Sequence, residues 1–557
     1  MRASLRSGVA AACLALAGPA LAAPQDLKAQ ADKLIAQSWA ADGPGAAVVI
    51  TDHGKIIYQG WRGLADVQAK EPITPATVFR LGSITKQFSA AVVLQLVAEG
   101  KLSLDDPLSK FYPDYPQPGA SATVRQLLNH TSGVQSYTDI PGWMVEANTN
   151  RAYTTEQLMA VFKNLPSLSK PGETWAYNNS GYVLVGAIIE KVTGKAWHEA
   201  VRERIATPLH LTTLRYGVGE ASVANMASGY RRGDDGSVQP AEKIHMSVPA
   251  AAGGLIGTVG DLAAWANGLH HGQVVDAASY KATTSPSNTA DGKVNPYGFG
   301  LEMEDVRGHP TIGHGGGIFG FVTASLYIPE RDVFVAVFTN SAPPAMSPGA
   351  VAQKLAMLAV GDAFPVLQKQ PVDLKAMEPL LGAYKIEGSD DPRVLLSRGG
   401  KLFTRRSDSA ELEVFPAGGK RFFYDGGMTW FDLKEGESGP VMEFYLNGSH
   451  KAELAKRVGG VPADERPFDV SRSTLELYVG GYQVGGAVAV VTLGDDGLSV
   501  KLGDQPTLRL IPRSETEFTV EKAGARVTFN GEAAGPAKSM TIHQGGRTME
   551  APRFASD

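Results

Sequence analysis

The chain has one cysteine in 557 residues, Cys13, and it lies in an opening segment that the sequence marks for removal. The working chain is therefore expected to hold no thiol. That excludes a disulfide scaffold, a cysteine nucleophile and a cysteine-based metal site together. The net charge is only −5 and no Lys/Arg run resembles a strip for phosphates, so no nucleic-acid partner is expected. Beyond the first residues no segment stays apolar for long enough to span a bilayer, and no stable membrane insertion is expected. His198-Glu199 lacks the second histidine of a zinc-hydrolase helix, which leaves no metal in the reading. Gly315-Gly316-Gly317-Ile318-Phe319-Gly320 spells a dinucleotide fingerprint, but it runs toward a strand and not a helix, so no cofactor is expected either.

The composition is that of an ordinary globular protein, with hydrophobic content of 43% and charged content of 20%. The length is too great for one core and suggests about three or four units. Arg2 and Arg6 precede an apolar run from Gly8 to Ala17, and Ala20-Leu21-Ala22 then offers a small-residue cleavage site. Residues 1–22 read as a secretory signal peptide, which makes the chain an exported one, periplasmic or secreted.

The rest is organised around Phe79-Arg80-Leu81-Gly82-Ser83-Ile84-Thr85-Lys86-Gln87-Phe88 and the apolar run that follows it to Gly100. No Pro or Gly interrupts Ile84 to Glu99, so a helix buried on nearly all sides is expected, with Ser83 in its first turn. Lys86 follows three residues later, on the same face. A serine hydroxyl is a weak nucleophile until a base takes its proton, and a lysine in a dry site can be that base. A second Ser-x-x-Lys, Ser167 to Lys170, runs straight into Pro171 and cannot continue as a helix. No Gly-x-Ser-x-Gly surrounds Ser83, which argues against an α/β-hydrolase.

Hairpin strands are expected around Asp52-His53-Gly54, a strand over Tyr297 to Met303, and two more over Phe321–Ile328 and Val333–Thr339. With helices between them, strands at both ends of the first unit imply an α+β fold on a sheet of sequence-distant pieces. Beyond about residue 368 the chain turns to short β-like runs that repeat. Leu381-Gly382-Ala383-Tyr384 answers Val479-Gly480-Gly481-Tyr482, and Leu412 to Pro416 answers Leu508 to Pro512, at an offset of 96 to 98 residues. Two successive β-barrel or β-sandwich modules are expected. The boundaries read as 23–365 for the first unit, 366–465 and 466–557 for the modules.

Tyr177-Asn178-Asn179 just before a helix, and His314-Gly315-Gly316 just before a strand, complete a set of three motifs in order. With Leu127 to Gly133 and Ala251 to Leu262, they make residues 30 to 362 resemble the penicillin-recognising serine hydrolases. That group includes class C β-lactamases, D-Ala-D-Ala carboxypeptidases, D-aminopeptidases and esterases. The resemblance implies a β-lactamase-like catalytic domain with a central antiparallel sheet, followed here by two all-β barrel-like domains. It implies Ser83 as nucleophile, with Lys86 and Tyr177 sharing proton transfer, and leaves open which of the two is the base. Asn179 would bind substrate and hold Lys86. The backbone N–H groups of Ser83 and Gly317 would form the oxyanion hole, beside His314 and Gly316 on the substrate-binding strand.

The departure from the family pattern concerns His314-Gly315-Gly316, where β-lactamases and carboxypeptidases usually carry Lys-Thr-Gly or Lys-Ser-Gly. A largely neutral imidazole and a missing hydroxyl weaken carboxylate recognition. The resemblance then points to a small-molecule or short-peptide substrate, best a D-amino-acid amide or peptide. An ester hydrolase and a weak β-lactamase are the alternatives, and a non-catalytic binder of peptidoglycan fragments is the alternative of another class. Nothing in the sequence sets an oligomeric state.

Overall fold

Two strands near the N-terminus and four that follow residue 300 build one antiparallel sheet. They are β1 (Ala46–Asp52), β2 (Lys55–Arg62), β3 (Glu302–Val306), β4 (His309–Ile318), β5 (Phe321–Ile328) and β6 (Val333–Thr339), in spatial order β3-β4-β5-β6-β1-β2. The computed structural model describes residues 24–554 apart from 234, 390, 407–410, 438, 463–469, 485–486, 495, 504, 522, 532–534 and 545–546. The signal peptide read over residues 1–22 lies outside the described residues.

Central strands β1 and β6 face Val48 to Val337 and Ile50 to Val335, and both are apolar on both sides. Such a strand reads as a continuous hydrophobic run because helices cover both faces of the sheet. On one face, α1 (Pro24–Ser38) and α5 (Pro348–Ala359) close a core that holds Val48, Val335 and Leu355. On the other, Val49, Ala336 and Phe338 join the core of α2 (Thr85–Ala98), α3 (Asn179–Thr193) and α4 (Val259–His270). Helix α2 is buried along nearly its whole length and ends before Gly100, at φ +68°. The Asn178 side chain caps α3 by accepting from the Gly181 N–H at 2.8 Å.

Two expectations need correction. The strand over Tyr297–Met303 begins only at Glu302, because a Cβ at Gly298 would stand 2.0 Å from the Thr283 oxygen and Gly300 sits at φ +72°. Backbone packed that closely follows an irregular path. His314 lies in the middle of the ten-residue strand β4 and not before a strand.

After α5 the chain forms a closed barrel of eight strands, from Gly382–Ile386 to Glu453–Gly459. A second set of eight runs from Gly480–Val484 to Arg547–Pro552, and a bridge from Tyr482 to Arg553 brings its ends together. The repeat is physical as well as textual. Tyr384 donates its hydroxyl hydrogen to the Leu380 carbonyl, and Tyr482 to that of Tyr478. Arg457 binds the Leu381 carbonyl as Arg553 binds that of Val479. A buried arginine ties the first barrel to the sheet: at the β3–β4 turn, Arg307 holds Asp362 at 2.9 and 3.1 Å and donates to the Gly448 carbonyl at 2.6 Å.

Candidate active site

Ser83 sits in a single 3₁₀ turn, Gly82–Ile84, that runs directly into α2, one step earlier than the helical first turn expected for it. The three-residue spacing still brings the Lys86 amine back over Ser83, with Nζ 3.0 Å from Oγ. Lys86 is fully buried. Its other two contacts are the Asn179 Oδ1 and the Ala252 carbonyl, each at 2.9 Å. Those two atoms can only accept. A neutral Lys86 amine has two hydrogens, and both are therefore committed. Its lone pair is left facing the only partner that can donate, the Ser83 hydroxyl. Burial holds the amine well below the usual lysine range, and only the Glu302 carboxylate works in the other direction.

Tyr177 covers this pair. Its ring lies 4.7 Å from Lys86 Nζ. Burial pushes the phenol above its ordinary value, further than the nearby Ser83 hydroxyl pulls it back, so it is a neutral phenol at rest. Asn179 donates from Nδ2 to the Thr138 hydroxyl at 3.2 Å, which leaves Oδ1 for Lys86.

The segment that carries Tyr177 is clamped by His130, a residue that the sequence placed in a motif but gave no role. The Ala176 N–H donates to the His130 carbonyl at 3.0 Å, and the Asn178 N–H donates to His130 Nδ1 at 3.1 Å. Tyr177 is thus gripped on both sides by one residue, and the two rings lie 4.4 Å apart. Because Nδ1 accepts, the imidazole proton is on Nε2, which is buried without a hydrogen-bond partner among the described residues. Burial above all holds the His130 pKa well below the usual histidine range. The signal for it was local, the phrase Leu127 to Gly133, but its partner Asn178 arrives 48 residues later.

Strand β4 passes beside the Ser83 turn. A Cβ added at Gly316 would stand 2.1 Å from the Leu81 carbonyl and 2.4 Å from Thr323 Oγ1, and one at Gly82 would stand 3.0 Å from the Gly317 nitrogen. Only glycine permits this approach. Ser83, Asn179 and Gly317 open together on a cleft of about 390 Å³, whose walls include Tyr137, Thr138 and Phe319. His314 is placed behind that wall, 4% exposed. Its Nδ1 donates to the Gly315 carbonyl and its Nε2 accepts from the Tyr297 hydroxyl at 2.9 Å. Burial above all brings its pKa down to about 3. Both ring nitrogens are spent inside the protein, so His314 supports β4 and offers no cation to the cleft. Among the described residues no group of three or more His, Cys, Asp or Glu side chains could hold a metal ion.

The profile of the beta-lactamase family matches residues 31–358, more than half of the chain. The chain is 29% identical over 305 residues to a D-aminopeptidase of Brucella canis, covering 54% of this chain and 56% of that protein. It thus spans about half the length of that curated relative. Among solved structures, the octameric penicillin-binding protein homologue of Pyrococcus abyssi aligns with 78% of this chain and 99% of its own, at 24% identity and a TM-score of 0.54. That likeness bears on the fold alone. A D-amino acid amidase of Ochrobactrum anthropi SV3, complexed with L-phenylalanine, aligns with 57% of this chain and 91% of its own, at 25% identity and a TM-score of 0.50.

Proposed function

Since the chain belongs to the beta-lactamase family, we propose that it is a serine hydrolase that cleaves amide bonds through an acyl-enzyme on Ser83. The observation that carries the proposal is the fully buried Lys86 amine, whose lone pair is left for the Ser83 hydroxyl. Neutral Lys86 takes the Ser83 proton as Oγ attacks the substrate carbonyl carbon. The carbonyl electron pair moves onto oxygen, where the N–H groups of Ser83 and Gly317 hold it. As that pair returns, the C–N bond breaks, and the departing amine receives the proton from Lys86 by way of the Tyr177 phenol. Water then attacks the ester carbonyl, one of its protons passes through Tyr177 and Lys86 to the Ser83 oxygen as the C–Oγ bond breaks, and the acid leaves. A phenol raised above its ordinary value suits the role of relay better than that of resting base, which assigns the base to Lys86.

The substrate class we propose is a short peptide or amide with a D-amino acid at its N-terminus, in line with the relatives named D-aminopeptidase and D-amino acid amidase. The neutral, internally bonded His314 favours this over a β-lactam, whose carboxylate needs a cation. We also propose export directed by residues 1–22, to be tested by N-terminal sequencing of the mature protein, where an intact Met1 refutes it. The hydrolase itself is tested with a fluorophosphonate probe. One adduct by intact mass, absent in Ser83→Ala, is expected, and no adduct refutes the nucleophile. A panel of D-amino-acid amides, L-amides, p-nitrophenyl esters and nitrocefin then ranks the substrates. Ester turnover without D-amide turnover refutes the substrate class and leaves the nucleophile standing.

A further inference from the structure

A second cavity, of about 370 Å³, lies where the first barrel meets the outer helices of the sheet, on the face away from Ser83. Its floor is one face of α1, where Gln30, Lys33, Leu34 and Gln37 follow at helical spacing, together with Lys354 and Leu358 one turn apart on α5. Its roof is the linker through Phe364 and the barrel loop from Phe423 to Trp430. The volume falls within the range of small-molecule sites.

The two lysines set its chemistry. Lys354 is only partly exposed, burial holds its amine below the usual lysine range, and it makes no hydrogen bond or ion pair with any described residue. Removing a charged amine from water without an anion opposite is costly. Lys33, on the facing helix, also lacks an ion-pair partner among the described residues. The one carboxylate in the lining, Asp425, is already held by Lys369 at 2.6 Å. Between these cations the walls are apolar: Leu34, Leu358, Phe364, Phe423, Met428 and Trp430. Two unneutralised amines on the floor beneath a largely apolar roof complement a molecule with one anionic end and a hydrocarbon body.

We propose that this junction is a binding site for an amphiphilic monocarboxylate, its carboxylate between Lys33 and Lys354 and its apolar body against Phe364, Phe423 and Trp430. The contacts come from both the sheet unit and the first barrel, so occupancy would also fasten the two together. The proposal is independent of hydrolysis, because none of these side chains touches the Ser83 cleft.

The test is calorimetric titration of the full chain with decanoate, and with decanol and acetate as probes of tail and charge alone. Decanoate is expected to bind once per chain, at least tenfold tighter than either single-feature probe, and to raise the melting temperature. Lys354→Met keeps the apolar stem and is expected to weaken decanoate at least tenfold while decanol is unchanged. Lys354→Arg should restore binding, and Ser83→Ala should bind as the wild type does. Decanol binding as tightly as decanoate would overturn the proposal, and so would undiminished decanoate affinity in both Lys354→Met and Lys33→Met. Circular dichroism of each variant separates loss of binding from loss of fold.

Discussion

Replacing His130 separates the geometry of the candidate site from its stability. In His130→Phe the ring contact with Tyr177 survives, but the Asn178 N–H loses its only acceptor. A buried donor left unpaired costs about 1–3 kcal/mol. The same substitution removes the Nε2–H that has no partner in the native protein, a term of similar size and opposite sign. The two offset, which leaves the strain of phenylalanine at a φ of +65°, about 1–2 kcal/mol, as the expected loss of stability. The position of Tyr177 has no such offset, because one of the two hydrogen bonds that straddle it is gone. A displacement of about 1 Å at a catalytic group can cost roughly 100-fold in rate. His130→Asn is the complement. Its side-chain oxygen can take the place of Nδ1, and asparagine tolerates the φ of +65° found here. The assay is steady-state hydrolysis of a D-amino-acid amide with a urea melt of each variant. A stability loss of no more than about 1–2 kcal/mol with kcat down by roughly two orders of magnitude is expected for Phe, with partial recovery of both for Asn. Native kcat in His130→Phe would refute the clamp, as would a kcat loss matched by an equal loss of stability.

Burial lowers the pKa of Lys86, so the folded state gives up its proton at a pH where the unfolded chain, at about 10.4, still holds one. Stability should therefore rise with pH across that window, and urea midpoints measured against pH should lose this slope in Lys86→Met. Hydrolysis should follow the same ionisation, with kcat/KM rising as Lys86 becomes neutral; a flat profile through the acid limb would exclude it as base. Gly316→Ala forces a Cβ to 2.1 Å from the Leu81 oxygen and should cost about 100- to 1000-fold in kcat through the oxyanion hole, whereas a Cβ at Gly317 meets no atom within 4 Å and should leave the fold unchanged. Arg307→Met leaves the partly exposed Asp362 with His450 at 2.8 Å as its remaining close partner and should cost about 1–3 kcal/mol at the barrel junction, read as faster proteolysis of the linker after Asp362.

What the sequence disclosed depended on how far apart the partners are along the chain. Ser83 and Lys86 were legible because three residues of helical chain fix their relation, and the change to a 3₁₀ turn did not break it. The barrel repeat was legible because each copy carries its own closing bonds, at Tyr384 and Tyr482. The glycine run at Gly315–Gly317 misled, since glycine is a weak strand former, yet β4 needs it to pass the Leu81 carbonyl. His314 misled for a related reason. A histidine beside two glycines looks presented to a ligand, until Tyr297 and the Gly315 carbonyl are seen to occupy both its nitrogens. The largest omission was the environment of Lys86. Its pKa is lowered by complete burial beneath the rings of Tyr177 and Tyr182, while the Ala252 carbonyl and Asn179 Oδ1 take its hydrogens. These are long-range contacts, and no window around Ser83 contains them. The motif offers the lysine, but the fold around it lowers its pKa, and a chain that kept Ser-x-x-Lys without that packing would keep a charged lysine and an idle serine.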